Sequence, residues 1–282
     1  MISPEKNKEL KEFALKIRME TMKAIGTLGF GHVGGALSIA DTIAVLYGGT
    51  MKVDPKNLHW EERDWLVCSK GHAGPAIYAA LALKGFFPLE ELKTLNKPGT
   101  HLPSHCDRNL TPGIDMTTGS LGQGSSLAVG VALGHRLDGR ENYTYLILGD
   151  GELQEGQVWE AVLYAAQAKL DHLITFVDHN KKQLDGFVQS INDVGSIKDK
   201  FKSFHWQAQE IDGSDVAAIY EAIEKAKVAK GRPSVIVLET VKGKGWSFAE
   251  KAVSNHHMTV SPEQMAEALA ELEEELAKAV KA

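Results

Sequence analysis

A strand–helix–strand pattern in the middle of the chain constrains the fold more than any other feature. Apolar runs over 143–148 and 173–177 predict two buried strands, and residues 157–169 between them predict a helix. A helical connection of this length makes the two strands parallel, with a right-handed crossover. The pattern recurs over 207–211, 215–229 and 235–239. The chain is therefore predicted to form one doubly wound α/β domain over residues 1–282, with a mostly parallel sheet and helices on both faces.

Capping residues and apolar runs predict the elements on either side of this unit. Ser3 indicates the start of a first helix, and Ser38 with Asp41 indicates a capping box for a second helix. A short buried strand is predicted over 64–68, and residues 94–118 are predicted to be irregular because they show no regular period. These elements extend the α/β pattern towards the N-terminus.

The helix predicted after the glycine-rich run 119–124 is unusually rich in small residues. Its first ten residues, SSLAVGVALG, contain two glycines, and each glycine destabilises a helix interior by ~1 kcal/mol relative to alanine. This cost is tolerable where another backbone packs very close. We therefore expect the helix to be buried against a neighbour, such as a second subunit.

The composition of the chain limits the kinds of partner and the cellular compartment that are expected. The net charge is −6, so nucleic acid is not expected as a main partner, and an anionic ligand requires locally placed positive charge. The two cysteines, Cys68 and Cys106, form no CxxC pair, which favours a reducing, cytoplasmic compartment. The sequence contains no apolar run near the ~18 residues that span a membrane, so no membrane association is expected.

Two polar residues follow the strands of the central unit. Asp150 lies between two glycines after the first strand, and Asn180 comes after the second. Ligands of an open parallel sheet bind beyond the carboxyl ends of its strands, so both side chains are expected in one crevice. Their oxygens suit Mg²⁺ or Ca²⁺, and phosphate oxygens would complete the coordination shell. A plain Asp-Gly turn is the alternative for the first motif alone, but the strand context favours a metal–diphosphate site.

Four motifs make the chain similar to transketolase, a thiamine-diphosphate enzyme. In chain order they are SKGHAGPAIYAAL, TTGSLGQGSSLAVGVALG, LGDGELQEGQVWEA and HNKKQLDG. The resemblance covers almost the whole chain and corresponds to the family's first domain, the one that binds the diphosphate of thiamine diphosphate. It implies that Asp150, Asn180 and the backbone carbonyl of Lys182 ligate Mg²⁺ or Ca²⁺.

The same resemblance assigns catalytic roles to four histidines. They would line the cleft where the sugar meets the cofactor, bind substrate hydroxyls and diphosphate, and move protons. These histidines are His32, His72, His105 and His256. The sequence departs from the family at two of them: His-Cys-Asp replaces His-Pro-acid at His105, and Asn-His-His replaces Trp-His-Gly around His256. The second departure leaves His257 as an alternative to His256.

A zinc site is an alternative role for one of these histidines. His101 and His105 are four residues apart and lie beside Cys106. Pro103 between them argues against a helix that presents both rings, so zinc is not predicted.

Further residues match the family's contacts to the cofactor. Lys70 and Lys242 would approach the diphosphate as point charges, and Leu184 would pack on the thiazolium ring. The implied cofactor contacts are Lys70, His72, Gly119, Leu121, Gly151, Glu155, Asn180, Leu184, Lys242 and His256. Glu155 and Glu160 match acids at the family's subunit interface, and the alternative is that they are ordinary first-turn helix acids stabilised by the helix dipole.

The resemblance also implies a partner chain. In single-chain transketolases a further domain supplies the glutamate that contacts the aminopyrimidine and most of the cationic contacts to the sugar phosphate. This sequence contains no candidate for that domain. We therefore expect the N-terminal subunit of a split transketolase, inactive without a C-terminal subunit that carries the pyrimidine-binding domain, in an α2β2 heterotetramer. The pair would transfer a two-carbon ketol unit from a ketose phosphate to an aldose phosphate.

Other interpretations stay open at this point. The chain could be a fragment of a longer transketolase, or a subunit of a related two-carbon transferase, such as a deoxyxylulose-phosphate synthase or a transketolase for an unusual sugar. A noncatalytic regulatory subunit is disfavoured by the full set of site residues. A Rossmann-type nucleotide binder is disfavoured because GSLGQG is GxxGxG rather than GxGxxG and follows a loop.

Overall fold

The computed structural model describes residues 2–281. Its helices within that range are α1 (Pro4–Leu28), α2 (Gly34–Leu37), α3 (Ala40–Val45), α4 (Gly74–Leu83), α5 (Gln123–Leu137), α6 (Gly156–Gln167), α7 (Val188–Asn192), α8 (Ile197–Ser203), α9 (Val216–Lys227), α10 (Ser247–Lys251) and α11 (Pro262–Lys281). Its strands are β1 (Phe30–Gly31), β2 (Trp65–Cys68), β3 (Thr144–Gly149), β4 (Leu173–His179), β5 (Lys182–Gln183), β6 (Gly186–Phe187), β7 (Gln207–Asp212), β8 (Ser234–Glu239) and β9 (Met258–Thr259). The segment predicted to be irregular, 94–118, contains no helix or strand beyond the end of a 3-10 turn at Leu89–Thr94.

A five-stranded parallel sheet organises the molecule. Its spatial order is β2-β3-β4-β8-β7, and each neighbouring pair is parallel. The strand–helix–strand unit predicted from the sequence is β3-α6-β4, in which Thr144 pairs with Leu173 and Gly149 with Asp178. The predicted α/β class with a mostly parallel sheet is therefore confirmed. Because all five strands run the same way, their carboxyl ends meet at one edge.

Apolar side chains cover both faces of the sheet. Tyr145 and Ile147 of β3 belong to a core shared with α1, α3, α4, α9 and α11. Leu146 and Leu148, the alternate residues of the same strand, belong to a second core shared with α5, α6 and α8. Successive side chains of a strand point to opposite faces, so a strand buried on both sides is apolar at nearly every position. This explains the continuous apolar run that ends at Gly149.

The capping box predicted at Ser38 and Asp41 is wrong. Helix α3 begins after Ile39 without a side-chain cap. The Ser38 hydroxyl instead donates to Asp178 Oδ2 at 2.7 Å, and Asp41 forms a buried ion pair with Arg18. A local cap contributes about 1 kcal/mol, and here both side chains have distant partners in the core. At Ser3, by contrast, the hydroxyl accepts from the Lys6 N–H as predicted.

The small residues of α5 have two environments. At Gly124 a Cβ atom would lie 2.5 Å from Ser69 Cβ, so close packing excludes any side chain there. At Gly130 and Gly134 a Cβ atom would meet nothing within 4 Å among the described residues. Close packing within this chain therefore occurs at Gly124, just before the predicted helix, and not at Gly130 and Gly134. That another subunit packs on these two glycines stays a prediction.

Within residues 2–281, every helix is too short or too polar to cross a membrane.

Candidate active site

The loops that follow β2, β3, β4 and β8 converge at the carboxyl edge of the sheet. Two segments from outside the sheet close over them. The Gly34 N–H donates to the Asn255 carbonyl at 2.9 Å, and the Gly243 N–H donates to the Gly34 carbonyl at 3.1 Å. A Cβ atom on Gly34 would lie 2.5 Å from the Asn255 oxygen, so only glycine permits this approach. The contact brings the His32 and His256 segments onto the same edge.

Asp150 lies at the end of β3 with its carboxylate buried. The carboxylate accepts from the Gly151 N–H at 2.8 Å and from the Lys181 N–H. Burial, followed by the Asp178 charge, raises the pKa of Asp150 to about 6. The contact with Lys181 holds the turn after β4 against the end of β3. The structure thus places Asp150 and Asn180 at adjacent strand ends, as the sequence pattern predicts.

The oxygen donors at these strand ends fit a small, hard cation. Asn180 Oδ1 accepts from the Lys182 N–H at 3.1 Å, and the Lys182 carbonyl accepts from Lys242 Nζ at 2.9 Å. Each oxygen keeps a second lone pair. The raised pKa of Asp150 reflects a buried negative charge that a cation would stabilise. One carboxylate, one carboxamide and one carbonyl match the ligands that Mg²⁺ and Ca²⁺ prefer.

Asp178, which the sequence patterns did not single out, anchors this edge. It is fully buried at the end of β4. Its Oδ2 accepts from Lys70 Nζ at 2.5 Å, from Asn180 Nδ2 at 2.7 Å and from the Ser38 hydroxyl. Its Oδ1 accepts from the Thr240 hydroxyl. Burial alone would raise the pKa of Asp178, but the Lys70 ammonium and the hydrogen bonds outweigh burial and lower it.

Two of the three N–H donors of Lys70 are therefore used in hydrogen bonds within the protein. Lys70 is 2% exposed, and its ammonium donates to the Gly35 carbonyl at 2.9 Å as well as to Asp178. The third donor is available to an anion, as the predicted diphosphate contact requires. Lys242 is equally buried, and burial, followed by the Lys70 charge, lowers its pKa to about 8.

The predicted histidines form one cluster around His32. The ring centroid of His32 lies 5.3 Å from those of His72, His105 and His256 and 4.9 Å from that of His257. His256 also lies 4.6 Å from His72, and its Nδ1 is 3.4 Å from Lys242 Nζ. Both residues of the His-His pair therefore reach the cluster. His256 is the inner one, and His257 is exposed and packs beside Phe30.

The inner histidines are neutral near pH 7. Burial, followed by the neighbouring His105, lowers the pKa of His32 to about 4. Burial, followed by the Lys242 charge, lowers the pKa of His256 to about 3, and burial with the Lys70 charge holds the pKa of His72 well below its usual range. Burial also lowers the pKa of His105. A neutral imidazole has one donor and one acceptor nitrogen, so the cluster can bind hydroxyl groups and accept protons.

The remaining predicted contact residues lie around this edge. Gly119 packs against the His105 ring, because a Cβ atom there would lie 3.0 Å from it. Leu121 and Leu184 are exposed, 38% and 59% respectively, and Leu184 lies in the turn between β5 and β6. A Cβ atom on Gly151 would lie 2.8 Å from Gln183 Cβ, so this glycine admits the β5–β6 hairpin. Close approach of the hairpin is thus one reason for glycine after Asp150.

The two acids predicted at a subunit interface are exposed. Glu155 immediately precedes α6, where its Cβ packs near Gly122, and Glu160 lies within α6. Leu163 and Tyr164 of the same helix are 60% and 49% exposed. The interface stays a prediction, and these residues form a surface that another chain could reach.

The zinc alternative finds no support over residues 2–281. No group of three His, Cys, Asp or Glu side chains in that range is placed to hold a metal ion. Cys106 is buried and free, as is Cys68, and burial raises the pKa of both thiols. Both cysteines therefore act as small core residues.

Comparisons with known proteins place the chain in a family. The family described as "Transketolase, thiamine diphosphate binding domain" matches residues 10–277. The 6-deoxy-6-sulfo-D-fructose transketolase subunit SqwG of Clostridium sp. (strain MSTE9) is 55% identical over 267 residues, which are 95% of this chain and 97% of that subunit. An apulose-4-phosphate transketolase subunit of Actinobacillus succinogenes is 36% identical over 95% of this chain and 96% of its own length.

Solved transketolase structures are also similar to this chain. Transketolase from Campylobacter jejuni superposes with a TM-score of 0.87 at 28% identity, over 99% of this chain and 46% of that chain. The sedoheptulose-7-phosphate complex from Pichia stipitis gives a TM-score of 0.85 at 29% identity, over 98% and 45%. The fold is thus that of a thiamine-diphosphate-binding domain. The chain belongs to the transketolase family, and it matches separate transketolase subunits over nearly their whole length while spanning less than half of the solved transketolases.

Proposed function

We propose that this chain is the diphosphate-binding subunit of a two-component transketolase, which transfers a two-carbon ketol unit from a ketose to an aldose phosphate. One observation carries the proposal. Side-chain and carbonyl oxygens of the kind that bind a divalent cation, two buried lysines and a cluster of histidines lie together at the carboxyl edge of the sheet. This edge is where ligands of a doubly wound sheet bind.

Different residues of the chain would hold the metal ion and the diphosphate. When bound, thiamine diphosphate supplies the carbanion chemistry that breaks and forms the ketose C2–C3 bond. Asp150, Asn180 and the Lys182 carbonyl would hold Mg²⁺ or Ca²⁺. Lys70 and Lys242 would neutralise the diphosphate, and both are buried, so their charges act in a medium of low dielectric constant.

The histidine cluster would face the sugar. His32, His72, His105 and His256 would bind its hydroxyls as neutral donors and acceptors and exchange protons with them. Leu184, on the exposed hairpin turn, would pack against the thiazolium ring, and Gly119 and Leu121 would contact the aminopyrimidine. These roles follow from the family resemblance, and the positions of the residues are compatible with each of them.

A partner chain would complete the site. We infer a C-terminal subunit with the pyrimidine-binding domain, since separate transketolase subunits match this chain over nearly their full length. An α2β2 assembly would place Glu155 and Glu160 at a subunit contact. That assembly would also cover the exposed side of α5.

The relatives suggest a second candidate for the donor sugar. At 55% identity, the SqwG subunit of Clostridium is named for 6-deoxy-6-sulfo-D-fructose. Breaking the C2–C3 bond of that ketose would leave a four-carbon aldehyde that carries the sulfonate. We propose this sulfonated ketose as a donor beside the ketose phosphates.

Reconstitution with the C-terminal subunit tests the function. We expect the pair to transfer a ketol unit, whereas this chain alone shows negligible transfer. Each donor, the sulfonated ketose and a ketose phosphate, is incubated with an aldose phosphate, and the products are identified by mass spectrometry. Full activity without any second polypeptide would exclude the split-subunit proposal. Cofactor binding without transfer by the pair would indicate a regulatory subunit.

The pH dependence of cofactor binding tests the role of Lys242. Its pKa of about 8 means that the ammonium loses its charge as the pH rises above 8. We expect the affinity for thiamine diphosphate to fall above that pH, by up to about tenfold per pH unit, because one proton is lost. Calorimetric titrations from pH 7 to 9.5 with the partner present measure the slope.

Lys242→Arg is the matched control for this profile, because a guanidinium stays charged throughout the range. The variant should bind with little change between pH 7 and 9.5. The same decline in the wild type and in the arginine variant would assign the titration to another group.

A further inference from the structure

Glu152 is a buried carboxylate that the cofactor and substrate contacts described above do not use. It lies in the 3-10 turn Gly151–Gln154, two residues after Asp150. Its residue exposure is 3%, so it is shielded from solvent while its neighbour Glu155 is exposed. A side chain of this kind needs hydrogen-bond donors, because an unpaired buried carboxylate is strongly destabilising.

Both oxygens of Glu152 are engaged. Oε1 accepts from the Gly122 N–H at 2.8 Å and from the Ser69 hydroxyl. Oε2 accepts from the Gly149 N–H at 3.0 Å. The three donors belong to three separate segments: the loop after β2, the start of α5 and the end of β3.

Each of these segments carries residues assigned to the cofactor. The loop after β2 contains Lys70 and His72, the segment before α5 contains Gly119 and Leu121, and the end of β3 continues into Asp150. Residues 69 and 122 are distant in sequence from residue 152. A single carboxylate therefore links the segments that carry the proposed diphosphate, aminopyrimidine and metal contacts.

We propose that Glu152 is a positioning residue, which holds the three cofactor-binding loops in register without touching the cofactor. This inference rests on the proposed function for its consequence, but its structural part concerns the chain alone. Its three donors are two backbone N–H groups and a hydroxyl, so hydrogen bonding rather than an ion pair holds the carboxylate. Burial raises the pKa of Glu152.

Glu152→Gln tests the positioning role, because a carboxamide has one acceptor oxygen and one donor nitrogen where the carboxylate has two acceptor oxygens. If its nitrogen faces Gly149, that N–H loses its acceptor, and if it faces Gly122, that N–H loses its acceptor instead. The buried carboxylate Asp64 offers a matched control. Its oxygens accept from the Lys52 N–H at 2.9 Å and the Tyr143 N–H at 2.8 Å, before the start of β2 and β3 at the opposite end of those strands.

The first measurement is amide hydrogen exchange of the unliganded chain. In Glu152→Gln, peptides that cover 65–72, 118–125 and 146–153 should exchange at least about tenfold faster than in the wild type. In Asp64→Asn, the same peptides should keep the wild-type rate. Unchanged exchange in Glu152→Gln, or an equal increase in Asp64→Asn, would refute the proposal.

The second measurement is the affinity for thiamine diphosphate at saturating Mg²⁺, with the partner subunit present. Glu152→Gln should weaken binding about 10- to 100-fold, the cost of one buried unpaired N–H. Asp64→Asn should bind thiamine diphosphate like the wild type, even if its melting temperature falls by as much as that of Glu152→Gln. Equal affinities in all three proteins would also overturn the positioning role.

Two further arms keep the test decisive. Ser69→Ala removes a single donor and should raise exchange in the same three peptides by a smaller factor, so it serves if Glu152→Gln does not fold. A Ser69→Ala protein with wild-type exchange would then refute the proposal. If the wild type itself binds no thiamine diphosphate, the proposed function fails, whereas the exchange result still decides whether Glu152 ties the loops together.

Discussion

Replacing Asp150 with alanine is expected to weaken Mg²⁺-dependent binding of thiamine diphosphate by at least about 100-fold. Asp150 is the charged member of the proposed ligand set, and its charge compensates the divalent cation. Its carboxylate also accepts from the Lys181 N–H, so the substitution releases the turn that carries the Lys182 carbonyl. Loss of groups that merely orient metal ligands costs 10- to 100-fold in affinity, and loss of a ligand should cost more. Calorimetry with the partner present measures the effect.

Asp212→Ala is the control for this substitution. Asp212 also ends a strand of the sheet and also accepts from a backbone N–H, that of Ser214 at 2.8 Å. It lies on the edge strand β7, outside the converging loops. We expect its removal to leave cofactor affinity unchanged. Wild-type affinity in a folded Asp150→Ala protein would contradict the metal assignment.

Replacing His32 with asparagine is expected to lower kcat of the reconstituted enzyme by about 10²- to 10⁴-fold, the usual contribution of a positioned acid or base. His32 lies at the centre of the cluster, and its pKa of about 4 keeps it neutral at pH 7, with one donor and one acceptor nitrogen for the sugar. Asparagine keeps a hydrogen-bonding side chain but cannot exchange a proton. The affinity for thiamine diphosphate should change little, because the role proposed for His32 is toward the sugar.

The comparison of kcat with cofactor affinity separates this role from a structural one. His59→Asn, at an exposed histidine away from the cluster, should match the wild type in both quantities. A His32→Asn enzyme with wild-type kcat would remove His32 from the reaction. A lower melting temperature together with a lower kcat that recovers when the assay temperature is reduced would assign the residue to packing.

Local sequence patterns were sufficient for the sheet and for part of the site. The apolar runs of β3 and β4 and the helix between them were predictable because each strand is buried on both faces. Asp150 and Asn180 were predictable because polar residues directly after such strands fall at one edge. The same rule, applied to the last positions of a strand, would have indicated Asp178, the single acid within an otherwise apolar run.

Other features depend on contacts between residues far apart in the chain. Ser38 and Asp41 have the spacing of a helix cap, but their partners, Asp178 and Arg18, come from other elements. The histidines were selected by family resemblance, since nothing in their separate loops indicates that their rings lie about 5 Å apart. The role of Glu152 could not be predicted for the same reason. In the sequence it resembles an ordinary acid in the first turn of a helix, and its hydrogen-bond donors lie in other segments.

By itself, therefore, the sequence determined the α/β class, the direction of the strands and the edge at which a ligand is expected. These properties follow from burial periodicity and chain connectivity, which are local. Only the tertiary structure decided that Lys70 is tied to Asp178, that five histidines form one cluster, and that Glu152 joins three loops. Those pairings satisfy buried charges and N–H groups whose partners come from distant segments, and such partners exist only once the chain has folded.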